Sequence, residues 1–186
     1  MSSINDSSIF ALHGAAVEYN CKAYIFLAST TSGKTTLASY LVSNSFGYIT
    51  DDCILLDKNN FTIHPVKAPI QLRTGGLKVL KDYKAEPQNI EVIENEKDLR
   101  YVYMPDNYIN NPLPIEKIFF IRRTANINSL IPMNTTTRIT ELMKSPIREY
   151  PVTSEYIRFI SQLTKYECQY LLYHDMNYVI EVIKNE

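Results

Sequence analysis

Apolar positions along the chain change period several times, and each change marks an element. "IFALHGAAVEYN", residues 9–20, alternates loosely and breaks at Gly14, which predicts two short strands or one bent strand. "CKAYIFLA" is a compact run of strand-forming residues. "GKTTLASYLVSN" then places Leu37, Tyr40 and Leu41 at helical spacing, giving a helix with one apolar face. "GYITDD" reads as a short strand ending in acid, and "CILLDKNNFTIHP" as a hairpin with "DKNN" at its turn.

Further along, "APIQLR" predicts a strand and "GGLKVLKDY" a short helix. "EPQNIEVIENEKDL" is charged and is expected at the surface. "RYVYMP" and "EKIFFIRR" read as two more strands, and "NTTTRITELMKSP" as a helix capped by Asn or Thr. In "TSEYIRFISQLTKYE", Tyr156, Phe159, Ile160 and Leu163 form a clear helical stripe. "CQYLLYHD" is a strand and "MNYVIEVIKNE" a closing helix, while Pro112, Pro114 and Pro132 mark loops. With no repeat or linker, this mixture predicts one α/β layer domain over residues 1–186.

Composition narrows the function more than the fold. The formal net charge is −1 and Lys and Arg form no block. That excludes a broad nucleic-acid surface, which needs many phosphate-neutralising cations, but leaves room for a local anion pocket. Cys21, Cys53 and Cys168 are isolated, which speaks against a disulfide framework or zinc site and for a reducing cytoplasm. The start, "MSSINDSSIF", lacks the basic and apolar regions of a signal peptide. No apolar run approaches the ~18 residues of a membrane span.

Chemistry concentrates in "LASTTSGKTT". Successive backbone N–H groups at a helix N-terminus form a concave anion site. Ala28, Ser29, Thr30, Thr31, Ser32, Gly33, Lys34, Thr35 and Thr36 are the candidate nucleotide-binding residues. Gly33 permits a close approach, Lys34 would reach the β- and γ-phosphates, and the Thr35 hydroxyl would bind Mg²⁺. Gly-Lys-Ser/Thr alone arises by chance in roughly one chain in ten of this length. Its position between a strand and a helix is the setting that the chemistry requires. Ala28 stands where such loops carry a first glycine. It is harmless at negative φ and costs on the order of 1 kcal/mol at positive φ.

Two more features flank the loop. Asp51 and Asp52 end the next strand, which can return beside the strand before the loop and bring the acids near it. One carboxylate there can hold Mg²⁺ and another can take a proton from an acceptor hydroxyl. A turn or helix cap is the commoner use of such a pair. His13, in "LHG", alone is more often structural than catalytic.

Together, "LHGAAVEYN", "AYIFLASTTSGKTTLASYLVSN" and "GYITDD" resemble the catalytic domain of HPr kinase/phosphorylase, a bacterial protein-serine kinase family. The spacings from His13 to Lys34 and from Lys34 to Asp52 match that family. The resemblance covers about forty residues well. It implies a phosphoenolpyruvate carboxykinase-like P-loop fold, with mixed β-sheets flanked by helices. It also implies ATP and Mg²⁺ as ligands. Lys34 would bind the transferred phosphate, Thr35 the metal, and Asp52 would act as general base. Asp51 would support the metal or the base, and His13 would stabilise developing charge.

The departures from that pattern are informative. The family's Glu-x-Arg-Gly is met by "IQLRTGG", which puts Gln71 in the position of a metal-binding Glu and Arg73 in that of the Arg. A later catalytic Arg has no aligned counterpart, so Arg122, Arg123, Arg138 and Arg148 are all open. The separate N-terminal domain of the classical enzyme is not expected. The chain looks more like small stand-alone relatives that act on peptides. The expectation is ATP-dependent phosphorylation of a serine-type hydroxyl on a peptide or small protein. The alternatives are a non-catalytic nucleotide-binding module and a small-molecule hydroxyl kinase. No nucleic-acid or membrane partner is expected, and the family's closed assemblies leave a homo-oligomer open.

Overall fold

The computed structural model describes residues 8–95, 98–147 and 151–185. The chain runs β1 (Ile9–Tyr19), β2 (Lys22–Leu27), α1 (Lys34–Ser43), β3 (Gly47–Thr50), β4 (Cys53–Asp57), β5 (Thr62–His64), β6 (Ile70–Arg73) and α2 (Thr74–Asp82). It continues as β7 (Glu91–Asn95), β8 (Asp98–Tyr103), β9 (Leu113–Arg123), β10 (Ser129–Pro132), α3 (Thr135–Met143), α4 (Ser154–Leu163), β11 (Glu167–Tyr173) and α5 (Met176–Lys184). The architecture is mixed α/β. An eight-stranded sheet has the order β10-β11-β9-β2-β1-β4-β5, with β3 paired to β1, and a three-stranded sheet has the order β6-β8-β7. β5 also pairs with β9, so β9, β2, β1, β4 and β5 close on themselves.

The period-2 pattern of β2 explains why both faces of the large sheet are covered. Tyr24 and Phe26 face a core shared with Leu37 and Leu41 of α1 and Val179 of α5. Ala23, Ile25 and Leu27 face a second core with Leu142 of α3 and Phe159, Ile160 and Leu163 of α4. All four residues of the α4 stripe are buried, as their spacing predicts. The α1 stripe is broader than predicted. Leu37 through Val42 are all buried, because α1 lies between the large sheet, α2, α5 and the small sheet. The Ser39 hydroxyl meets the Tyr103 hydroxyl at 2.6 Å and ties α1 to β8.

Several expectations change. Gly14 does not break the first strand. It sits inside β1 opposite Leu27, and a Cβ there would lie 2.7 Å from side chains of Ile54 and Leu27 and 2.8 Å from the Phe26 carbonyl. The glycine marks a close approach, and the irregularity in the pairing of β1 with β3 falls between Ala16 and Val17. Within the charged stretch, Glu91–Asn95 is an edge strand paired to β8. Pro114 and Pro132 are not in loops: each lies near a strand end, and Pro132 is on the sheet-edge strand β10, where a missing N–H is tolerated. The strand that ends in Asp51–Asp52 does not lie beside β2. β3 pairs antiparallel with β1, and the parallel neighbour of β2 is β9. Among the described residues, no helix is long and apolar enough to cross a membrane.

Candidate functional site

Register explains why distant motifs meet. On β1, Gly14 faces Leu27, the last residue before the phosphate loop. His13 faces Cys53 and Ala16 faces Thr50, so Asp51 and Asp52 form the turn between β3 and β4 at that same level. β1 is therefore the common partner that brings the loop, the acids and the histidine together.

The loop runs from Ala28 to Gly33, which caps α1 with φ 93° and ψ 14°. A Cβ at Gly33 would meet only the Tyr173 hydroxyl, at 3.6 Å. Backbone angle, not crowding, makes glycine the fitting residue there. Ala28 has negative φ, whereas Thr31 takes a left-handed φ of 65°. The absent first glycine therefore carries no backbone penalty. Ser32 Oγ donates to the Ser29 carbonyl at 2.6 Å. Lys34 Nζ donates to the carbonyls of Ala28 at 2.9 Å and Ser29 at 3.0 Å, folding the lysine across the mouth of the loop. Burial lowers the Lys34 pKa, opposed by the charges of Asp52 and Asp51.

The acid pair is asymmetric. Burial, then the charge of Asp52, push the Asp51 carboxyl up to about 7, although the Thr35 hydroxyl donates to it and Lys34 lies near. Its Oδ1 is buried and has no hydrogen-bond partner among the described residues. Asp52 is exposed and sits at a left-handed φ of 68°. His13 Nδ1 lies 3.2 Å from the Asp52 carbonyl. A carbonyl only accepts, so that nitrogen carries the proton, and Nε2 is buried without a hydrogen-bond partner among the described residues.

His13, Asp52 and the loop residues from Thr31 to Thr36 open on a cleft of ≈ 480 Å³ between the N-termini of α1 and α2, reached also by Thr30, Gln71, Arg73 and Arg100. Neither α1 nor α2 has a side-chain N-cap, whereas α3, α4 and α5 are capped by Asn134, Thr153 and Asp175. The two open helix ends are those facing the cleft, and their free N–H groups and dipoles favour an anion. Arg73 and Arg100 stand directly opposite each other on β6 and β8. Like charges so placed repel. Asp98 offsets one of them through a 2.5 Å ion pair with Arg100, and an anion in the cleft would relieve the rest.

The other candidates separate. Gln71 lines the cleft and is exposed. Arg122 and Arg123 lie at the end of β9, on a second cleft beyond the loop. Arg138 donates to the carbonyls of Met133, at 2.9 Å, and Thr164, at 3.0 Å, a structural tie. Arg148 lies outside the described residues. Arg100 is the cleft residue that sequence reasoning missed. Its only sequence signal is a cation heading the strand-like "RYVY", and its pairing with Arg73 needs the register. Among the described residues, no group of three or more His, Cys, Asp or Glu side chains could hold a metal. Thr35 and Asp51 are the fitting pair, because an orphaned buried carboxylate oxygen suits a hard cation.

No protein-family model matches the sequence, and no curated protein matches it. Among solved structures the chain is similar to the Hpr(Ser) kinase/phosphatase from Coxiella burnetii, with 10% identity, a TM-score of 0.43 and 94% of each chain covered. That likeness is distant.

Proposed function

We propose that the chain is an ATP-dependent phosphotransferase acting on a hydroxyl, with a serine-type hydroxyl of a peptide or small protein as acceptor. The observation that carries this reading is the convergence of two uncapped helix ends, Lys34, Arg73 and Arg100 on one cleft that also holds Asp52. Cations and helix ends suit a polyphosphate, and an exposed carboxylate beside them suits a base. Thr35 and Asp51 would hold Mg²⁺, whose charge would offset that of the β- and γ-phosphates. Gln71 opens on the same cleft and offers a neutral carbonyl at most.

In the reaction, the acceptor oxygen bonds to the γ-phosphorus as the bond to the β–γ bridging oxygen breaks. ADP leaves with that electron pair, and the hydroxyl proton passes to Asp52. Lys34 leaves the loop carbonyls to bind phosphate oxygens. Its lowered pKa reflects burial that a phosphate would offset. The choice of a peptide acceptor rests on the motif resemblance.

A second reading, a non-catalytic nucleotide-binding module, draws on Gln71 where the resembling family has an acid. Transfer of the γ-phosphate from labelled ATP should be measured with serine peptides and hydroxyl metabolites side by side, for wild type and Asp52→Asn. Peptide labelling that Asp52→Asn loses, with ATP affinity retained, is the expected result. ATP binding without transfer or hydrolysis would favour the module, and labelling of metabolites alone would sink the peptide acceptor.

A further inference from the structure

A second cleft, of ≈ 930 Å³, opens on the other side of the phosphate loop. Thr31, Ser32, Gly33, Thr36, Gly75 and Gly76 line both clefts, so the two share one boundary. His13, Lys34, Thr35 and Asp52 belong to the phosphate cleft and not to the second. The shared residues therefore give the site a direction. The reacting end lies at Asp52 and His13, and the opposite end passes the loop residues Thr31 to Gly33 and Gly75 into the second cleft.

The shared boundary is closed at Gly76, which packs on Thr36, and open at Gly75. A Cβ at Gly76 would lie 2.7 Å from Thr36 Oγ1, while one at Gly75 would meet nothing within 4 Å. Beyond it the wall changes character. Leu27, Phe120, Tyr170 and Ile131 stand at one level on four neighbouring strands, β2, β9, β11 and β10. At the usual strand spacing this row spans about 14 Å. Tyr170 meets Phe120 edge-on, with centroids 6.1 Å apart. Exposure rises along the row, from buried Leu27 and Phe120 through half-buried Tyr170 to exposed Ile131. Arg122, Arg123 and Glu141 add polar groups to this apolar wall. The strands β2, β9 and β11 run parallel, and the cleft includes Leu27, Arg123 and Leu172 at or near their carboxyl ends, where open α/β sheets take ligands.

We propose that this second cleft binds the nucleoside of the nucleotide, with the base against Tyr170 and Ile131 and the ribose and first phosphate near Arg122, Arg123 and Thr36. An apolar slot with a few convergent polar groups has the make-up of a small-ligand site. The assignment rests on the phosphotransferase reading only for the triphosphate in the first cleft. It adds that the affinity has two separable parts, one read by the phosphate cleft and one by the base.

Inorganic tripolyphosphate separates them. Calorimetric titration of wild type, Tyr170→Ala and the doubly substituted Arg122→Ala/Arg123→Ala protein with Mg·ATP and with Mg·tripolyphosphate measures both parts. The two arginines are exposed, so that variant keeps the core intact if Tyr170→Ala folds poorly. Wild type should bind ATP at least tenfold more tightly than tripolyphosphate. Tyr170→Ala should weaken ATP about tenfold, the range of one base–aromatic contact, and leave tripolyphosphate within twofold. The double variant should also weaken ATP more than tripolyphosphate. Equal affinity of wild type for the two ligands, or equal loss of both in the variants, would overturn the cleft assignment. Binding of neither ligand to wild type would instead overturn the phosphate reading beneath it.

Discussion

Replacing Asp51 with asparagine should stabilise the metal-free protein while removing its capacity to bind Mg·ATP. Burial and the neighbouring Asp52 raise this carboxyl from 3.8 to about 7. The folded state therefore keeps a proton that the unfolded chain gives up, and stability falls with rising pH wherever that holds. The window runs from about pH 4, the unfolded value, to about pH 7, the folded one. Below it the group is protonated in both states, and above it ionised in both, so stability is flat on either side. A displacement of about three units at about 1.4 kcal/mol each sets a ceiling near 4 kcal/mol. Water reaching the cleft screens part of this, leaving about 2 kcal/mol. Urea unfolding in EDTA at pH 4.5 and pH 8 reads the effect. Wild type should lose about 2 kcal/mol across that interval and Asp51→Asn should not. At pH 8 the variant should be the more stable, by about 4–8 °C in Tm for a chain of this size. An Asp51→Asn protein less stable than wild type at pH 8, or wild-type stability that rises through the window, would refute the buried-acid argument.

Two further substitutions probe the frame and the anion field. Gly14→Ala would force a methyl into contact with Ile54, Leu27 and the fixed Phe26 carbonyl; overpacking of this kind costs about 1–3 kcal/mol. An unchanged urea midpoint would contradict the close approach of β1 and β2. Arg100→Met removes one of two opposed guanidinium groups. It should leave metal-free stability within about 0.5 kcal/mol, as for surface substitutions, and weaken tripolyphosphate by roughly tenfold or more, the scale of a charge-assisted hydrogen bond. Titration at two salt concentrations checks it, since the variant should also show a weaker salt dependence; full affinity in Arg100→Met would remove the arginine from the site.

What the sequence made legible was local. The strand, loop and helix from Lys22 to Ser43 follow from one change of hydrophobic period, and the Asn134 cap of α3 from residue type. The α4 stripe needed nothing beyond spacing. What stayed hidden depended on pairing between distant segments. Asp51 and Asp52 reach the loop through β1 rather than β2, because β1 pairs with β2 on one edge and with β3 and β4 on the other. Gly14 resembles a strand breaker until the side chains of Ile54 and Leu27 are seen against it. β10 was masked by Pro132, which an edge strand tolerates. The Arg73–Arg100 pair is a fact of register, and neither residue signals it alone. The doubt over Ala28 dissolves for a conformational reason: its φ is negative, and Thr31 and Gly33 take the left-handed positions.

The most direct measurement is calorimetric titration of Mg·ATP into wild type and Lys34→Ala. The Lys34 ammonium is buried and, among the described residues, hydrogen-bonded to its own loop carbonyls, with Asp52 and Asp51 nearby, a poor use of a buried charge unless a phosphate takes the place of those carbonyls. Wild type should bind with a one-to-one stoichiometry, and Lys34→Ala should fold normally by circular dichroism and show no measurable binding. Binding of equal strength by both proteins would contradict the nucleotide site and make the Gly-Lys-Thr sequence an accident of composition.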